Sequence, residues 1–184
     1  MDQLGIQRVS YFLSSEECAL CTDILYKSPH WQFGSYSDGH TSLGDPMTPF
    51  WNMPLKKDPF FSETLKDRIE EHCGNGRSFE LLDVYANGHT YGQNGSFHRD
   101  SDDPLCYTFL LYTTPNIISR QDAFEYDGFT EFLMENDGTV LSIPPIYNTA
   151  ILFPGTLLHR GKAFNRYEYQ LRTTIAWKLR LCDM

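Results

Sequence analysis

From Phe79 onward the chain becomes a succession of short apolar or alternating runs, and no other feature constrains its fold as much. The runs are Phe79 to Tyr85, Gly95 to His98, Cys106 to Thr113, Thr130 to Glu135, Thr139 to Ile143, Ala150 to Phe153 and Leu171 to Arg180, punctuated by turn residues. Asn136-Asp137-Gly138, between two of them, is a hairpin signal. Seven or eight strands with long connections predict a double-sheet jelly roll, a cupin-like double-stranded β-helix, rather than a meander.

The preceding residues read differently. Residues 1 to 8 suit a short entering strand, and Ser14-x-x-Glu17 is a capping box that opens a helix through about Tyr26, stopped by Pro29. Phe60, Phe61, Leu65 and Ile69 recur at helical spacing, which predicts a second helix from about Pro59 to His72. Between the helices, residues 31 to 55 are rich in Gly and Pro and are expected to make a long surface excursion, a candidate substrate lid. The chain is thus expected to be mainly β with N-terminal helices, one domain over residues 1 to 184. A helical support region of about 1–78 would flank a jelly-roll core of about 79–184.

A net charge of −9 and an isoelectric point near 5.0 disfavour a nucleic-acid partner, because a phosphate backbone selects a basic stripe. Five scattered cysteines, no signal-peptide pattern and no membrane-length apolar run suggest a reduced, cytoplasmic protein. Cys18-x-x-Cys21 falls inside the first helical pattern and is read as helix packing rather than as a zinc or redox pair.

Within the strand region, His98-Arg99-Asp100 carries the chemistry. In extended backbone residues i and i+2 project to one side about 6 to 7 Å apart, so His98 and Asp100 can share an ion while Arg99 points away. His159, at the end of a later strand, supplies a third ligand. Two imidazoles and one carboxylate leave three coordination positions open, the non-haem Fe(II) oxygenase arrangement, whereas structural zinc closes its shell with thiolates. In the last strand, alternation puts Arg172, Thr174 and Ala176 on one face and Leu171, Thr173, Ile175 and Trp177 on the other. An arginine with a hydroxyl at i+2 suits a co-substrate carboxylate through a bidentate charge-assisted pair and one further donor. Tyr112 and Tyr85 are candidates to add a phenol to that site.

Taken in order, these residues resemble the 2-oxoglutarate and Fe(II)-dependent oxygenases, and within them the prolyl 4-hydroxylase-like branch. The resemblance covers roughly residues 79 to 181. Tyr85-Ala86-Asn87-Gly88-His89-Thr90-Tyr91 leading to His98-Arg99-Asp100 is similar to the branch's Tyr, Gly-containing loop and His-x-Asp. Asp127-Gly128-Phe129-Thr130-Glu131-Phe132 is similar to its Gly-Gly-x-Thr-x-Phe. Asn148 to Phe153 resembles the strand before the distal histidine, His159-Arg160-Gly161 matches His-x-Gly, and Arg172 falls at the 2-oxoglutarate anchor.

The resemblance implies Fe(II) on His98, Asp100 and His159, and 2-oxoglutarate held by Arg172 and Tyr112, with O2 as the other co-substrate. Oxidative decarboxylation to succinate and CO2 would be coupled to hydroxylation of a C–H bond. The expected substrate is a prolyl or other residue of a peptide or protein, with Arg160, Trp177 and residues 31 to 55 as lining. Three departures separate the chain from the branch: Asp127 for the first Gly, Thr113-Thr114 for Leu-Asn, and Arg172 for the Lys of collagen-type enzymes. A free amino acid or small metabolite therefore stays open as substrate, as does a cupin-like metal-binding protein without oxygenase chemistry. The DNA-dealkylating branch carries a second Arg six residues after the first, where this chain has Lys178.

Overall fold

The computed structural model describes residues 4–37 and 48–182. Strand β1 (Gln7–Ser10) is followed by helix α1 (Ser15–Lys27), strands β2 (Gln32–Ser35) and β3 (Phe50–Pro54), and helix α2 (Leu65–Cys73), which a π-helical turn at Phe60–Thr64 precedes. Strands β4 (Phe79–His89) and β5 (Cys106–Tyr112), helix α3 (Arg120–Tyr126) and strands β6 (Thr130–Leu133), β7 (Val140–Ile143), β8 (Thr149–Pro154), β9 (His159–Gly161) and β10 (Arg172–Leu181) complete the order. A seven-stranded sheet runs β1-β8-β5-β10-β4-β3-β2 and a three-stranded sheet runs β7-β6-β9, with every pairing antiparallel. This is the expected mainly β, double-sheet jelly roll with helices at its N-terminal side.

The helices form where local chemistry favours them. Ser14 Oγ accepts the amide of Glu17 at 3.3 Å while Glu17 returns a carboxylate oxygen to the Ser14 amide at 2.8 Å, closing the capping box that starts α1. Glu17 then receives Arg68 on both carboxylate oxygens (2.5 and 2.6 Å), which ties α1 to α2. Phe61, Leu65, Ile69 and Cys73 follow one another at i+4 and are all buried, so this stripe fixes the face that α2 turns to the sheet. Cys21 and Leu25 do the same for α1, which leaves the Cys18-x-x-Cys21 pair as helix residues with free thiols.

Alternation along the large sheet separates two environments. Val84 and Ala86 of β4, Phe109 and Leu111 of β5, and Ile175 and Trp177 of β10 face the helices and form the main core. Trp177 is fully buried there, its ring centroid 5.8 Å from Phe109 and 6.4 Å from Phe61, and its indole N–H donates to the Phe61 carbonyl at 2.8 Å. The opposite face of the same strands looks toward the small sheet, and the space between the two sheets is the cavity described below. A one-residue slip in β10 would exchange the two sets.

Four elements differ from the sequence expectation. Residues 31 to 55 contain a strand pair, β2 and β3, that extends the large sheet beyond β4; positions 38–47, where a lid would have its tip, lie outside the described residues. β3 escapes periodicity because it is five residues long and ends in Pro54. Residues 95–97 are not in a strand, and His98 makes only an isolated bridge to His159. The entering strand lies at Gln7–Ser10 rather than over residues 1 to 8. Helix α3 carries a capping box of its own, Ser119 with Asp122, but its seven residues make only about two turns, too short a run for a helical pattern to stand out.

Candidate metal centre and anion site

The metal-ligating side chains converge because two backbone crossings bring their segments together. The amide of His98 donates to the His159 carbonyl at 3.0 Å and the amide of His159 returns to the His98 carbonyl at 2.9 Å; the amide of Asp100 donates to Gly155 at 2.9 Å. One ligand atom each of His98, Asp100 and His159 then lies within 4.8 Å of the others. Asp100 Oδ1 is 3.5 Å from His98 Nε2, and Oδ2 is 3.4 Å from His159 Nε2.

Each imidazole is oriented by the backbone carbonyl two residues before it. Nδ1 of His98 sits 2.9 Å from the Ser96 carbonyl and Nδ1 of His159 sits 2.9 Å from the Leu157 carbonyl. A carbonyl accepts only, so the proton is on Nδ1 and the Nε2 lone pair is left toward Asp100, the tautomer a metal requires. Arg99 turns away, to the Thr156 carbonyl and Glu135, both at 2.5 Å.

Burial and charge set the protonation states. Burial pushes the Asp100 carboxyl up, but Lys178, then His159 and His98, outweigh it and hold it well below the usual carboxylate range. Burial, opposed in part by Asp100, lowers His159 to about 4. At neutral pH Asp100 is thus a carboxylate and His159 a neutral imidazole, and with the Nε2 of His98 beside them the set fits a divalent first-row metal with open positions.

A second site occupies the other end of the cavity. Arg172 is 1% exposed; its Nε donates to the Gly128 carbonyl at 2.7 Å and Nη2 to Thr130 Oγ1 at 3.3 Å, and no carboxylate pairs with it among the described residues. Burial lowers its pKa to about 10, which still leaves it ionised at neutral pH. Gly128 is required at that contact, since its φ is +83° and a Cβ there would stand 2.4 Å from the Phe164 ring. The preceding Asp127 holds φ 69° and ψ −142°, a backbone conformation that disfavours any side chain. Tyr112 is fully buried, its hydroxyl near Thr130 but without a hydrogen-bond partner among the described residues, and burial pushes it up to about 12. A buried, unpaired guanidinium beside an orphaned phenol is costly unless an anion completes it. A dicarboxylate with one end on Arg172 fits that requirement.

Both sites open on one cavity of about 570 Å3. His98, Asp100, His159, Arg172, Thr174 and Tyr85 line it. Trp177 does not, because its odd position in β10 sends it into the core, and this corrects its expected role as substrate lining. Arg160, one residue past His159, is not among the cavity-lining residues and has Nε 2.8 Å from Glu131 and its guanidinium 4.3 Å over the Phe97 ring. Lys178 and His89 also line the cavity, and the sequence reading assigns neither to the site. The alternation Arg172, Thr174, Ala176 continues to Lys178, and β4 carries Asp83, Tyr85, Asn87 and His89 at i+2 spacing, a polar inner face that the pattern itself displays.

His89 is 4% exposed, its Nδ1 has no partner among the described residues, and burial followed by the Arg172 charge lowers it to about 3. An unfolded chain protonates both His89 and His159 near pH 6.5, whereas the folded protein does so only near 3 and 4. Protons therefore favour the unfolded state, and the metal-free protein should lose stability as pH falls from 6.5 toward 4, by up to about 1.4 kcal/mol per pH unit for each ring. Denaturant unfolding at pH 7, 6 and 5 checks this, and His89→Phe should remove about half of the slope.

No protein-family model matches the chain, and no curated protein does. Solved structures do. A 2OG-Fe(II) oxygenase family oxidoreductase from Burkholderia pseudomallei aligns with a TM-score of 0.71 at 10% identity, over 97% of this chain and 86% of that one. A Trichoplax adhaerens prolyl hydroxylase in complex with a hypoxia inducible factor peptide fragment aligns with a TM-score of 0.66 at 19% identity, over 97% and 84%. HygX from Streptomyces hygroscopicus, with nickel and 2-oxoglutarate bound, aligns with a TM-score of 0.65 at 13% identity, over 97% and 83%. The chain thus has the fold of the 2-oxoglutarate/Fe(II) oxygenases.

Proposed function

We propose that this protein is an Fe(II)- and 2-oxoglutarate-dependent dioxygenase that hydroxylates a C–H bond. The observation that carries the reading is the pairing, in one cavity, of the His98–Asp100–His159 donor set with the buried Arg172, which no carboxylate pairs with among the described residues. Bound iron would supply the activation of O2, coupled to conversion of 2-oxoglutarate to succinate and CO2.

The chain's own residues do the rest. His98 and His159 present Nε2 lone pairs fixed by Ser96 and Leu157, and Asp100 brings the negative charge. Arg172 takes the distal carboxylate of 2-oxoglutarate, with Tyr112 donating its orphaned hydroxyl and Thr174 beside them on the same face. Leu110, Phe153 and Ala176 complete an apolar wall that limits water near the reacting atoms.

The substrate is a prolyl or other residue of a peptide or protein. The peptide bound to the Trichoplax neighbour supports that class, as does the inner wall of Asn52 and Asn87, whose amides meet at 3.3 Å and suit a peptide group. A small metabolite is the second reading, favoured by the same polar wall. The acidic net charge argues against nucleic acid, and five free thiols accord with a cytoplasmic location. No described helix is long and apolar enough to cross a membrane.

Purified protein incubated with Fe(II), 2-oxoglutarate and cell extract should form succinate and a +16 Da product, on peptides under the first reading and on metabolites under the second. Iron-loaded protein that bound neither 2-oxoglutarate nor a close analogue would remove the proposal and leave a cupin-like binding protein.

A further inference from the structure

Lys178 has no role in the function proposed so far, yet it reaches the centre of the site. Its side chain projects from the inner face of β10, two residues beyond Ala176, and its ammonium contacts Asp100 Oδ2. Thr108 Oγ1, on the neighbouring strand, donates to the same oxygen at 2.5 Å and lies 3.2 Å from the ammonium; the Tyr85 ring stands 5.8 Å from it. Thr108 is directly opposite Lys178 in the register of β5 and β10, so the sheet itself aims both donors at one point. Oδ1 carries neither donor and faces His98.

A buried ammonium is costly unless it is paired, and Ala176 and Leu110 show that this face accepts apolar side chains. A lysine beside a metal site also repels a dication and so weakens its binding. Its benefit must therefore lie in what it does to Asp100. A carboxylate free to use both oxygens can chelate, and each extra contact closes a position that co-substrates need. Here one oxygen is already filled by two donors.

We propose that Lys178 is a positioning residue that, together with Thr108, withholds one oxygen of Asp100 from the metal, so that this ligand offers a single oxygen and three positions stay open. The inference rests on the metal-centre reading above. It makes the pair a device that gives up metal affinity to preserve room for 2-oxoglutarate and O2.

The test uses full-length protein loaded with Mn(II) or Co(II), in wild type, Lys178→Met, Lys178→Arg and Thr108→Val, each checked for fold by circular dichroism. Calorimetry gives Mn(II) affinity and then 2-oxoglutarate affinity of the Mn(II) form; visible absorption of the Co(II) form without 2-oxoglutarate reports the ligand set. Lys178→Met should bind Mn(II) about tenfold more tightly, bind 2-oxoglutarate about tenfold more weakly, and alter the Co(II) spectrum. Lys178→Arg should return all three toward wild type. Thr108→Val, which changes no charge, should shift all three in the same direction by less, and it carries the test if Lys178→Met does not fold. Parallel weakening of metal and 2-oxoglutarate, or Co(II) spectra unchanged in both Lys178→Met and Thr108→Val, overturns the inference while the metal centre stands. Wild-type protein that takes up no Mn(II) overturns the metal reading and the inference with it.

Discussion

His98→Ala should abolish divalent-metal binding and Fe(II)-dependent succinate formation while costing little stability, whereas Asp100→Ala should abolish both and also destabilise the fold by about 3–5 kcal/mol. The difference follows from what each side chain leaves behind. His98 holds one hydrogen bond, from Nδ1 to the Ser96 carbonyl, so its loss removes a ligand and about 1 kcal/mol. Asp100 neutralises the buried Lys178 and accepts from Thr108. Its removal strands an ammonium in the cavity with no other carboxylate paired to it among the described residues. Mn(II) titration reads the first effect and denaturant unfolding of the metal-free proteins the second. Equal stability of the two variants would show that the Lys178–Asp100 contact carries little energy, and Mn(II) binding by His98→Ala at wild-type affinity would remove His98 from the donor set.

That contrast also marks how far the sequence could be read. The three proposed ligands and Arg172 are legible because each pairs a rare chemistry with a spacing that extended backbone makes meaningful, and because the strand pattern predicts two sheets whose ends meet. Lys178 was visible only as a residue that is not arginine. Its importance depends on the side chain reaching Asp100, 78 positions earlier, through a register no one-dimensional pattern specifies. Trp177 failed for the opposite reason. An aromatic near a site invites a substrate role, but its parity in β10 had already assigned it to the face with Leu171, Thr173 and Ile175, and that face is the core. Parity along a strand was the stronger signal and should have overruled residue type. β2 and β3 were missed because strands of four and five residues interrupted by Gly34 and ending in Pro54 carry too few alternations to stand out from a loop.

Arg172→Met should reduce 2-oxoglutarate affinity by at least a hundredfold yet leave the unliganded protein within about 1 kcal/mol of wild-type stability. Two charge-assisted hydrogen bonds to a carboxylate contribute about 1.5–3 kcal/mol each, and their joint loss corresponds to two decades or more in affinity. The stability side runs through linkage. Burial lowers the Arg172 pKa from 12.5 to about 10, so the folded state penalises the charged form, and at neutral pH that penalty is present in full, on the order of 3 kcal/mol. It would be relieved only as pH rose above about 10. Methionine removes the penalty and keeps most of the packed volume, but forfeits the bonds to Gly128 and Thr130 and leaves the Gly128 carbonyl unpaired, which costs a similar amount. Calorimetry with 2-oxoglutarate and denaturant unfolding, on the same preparation, give both numbers. A residue kept for structure would show the reverse, with stability falling by several kcal/mol and affinity following it. Near-constant stability with lost affinity is what an anion-binding site predicts, because no carboxylate pairs with the buried guanidinium among the described residues and a bound carboxylate would supply that partner.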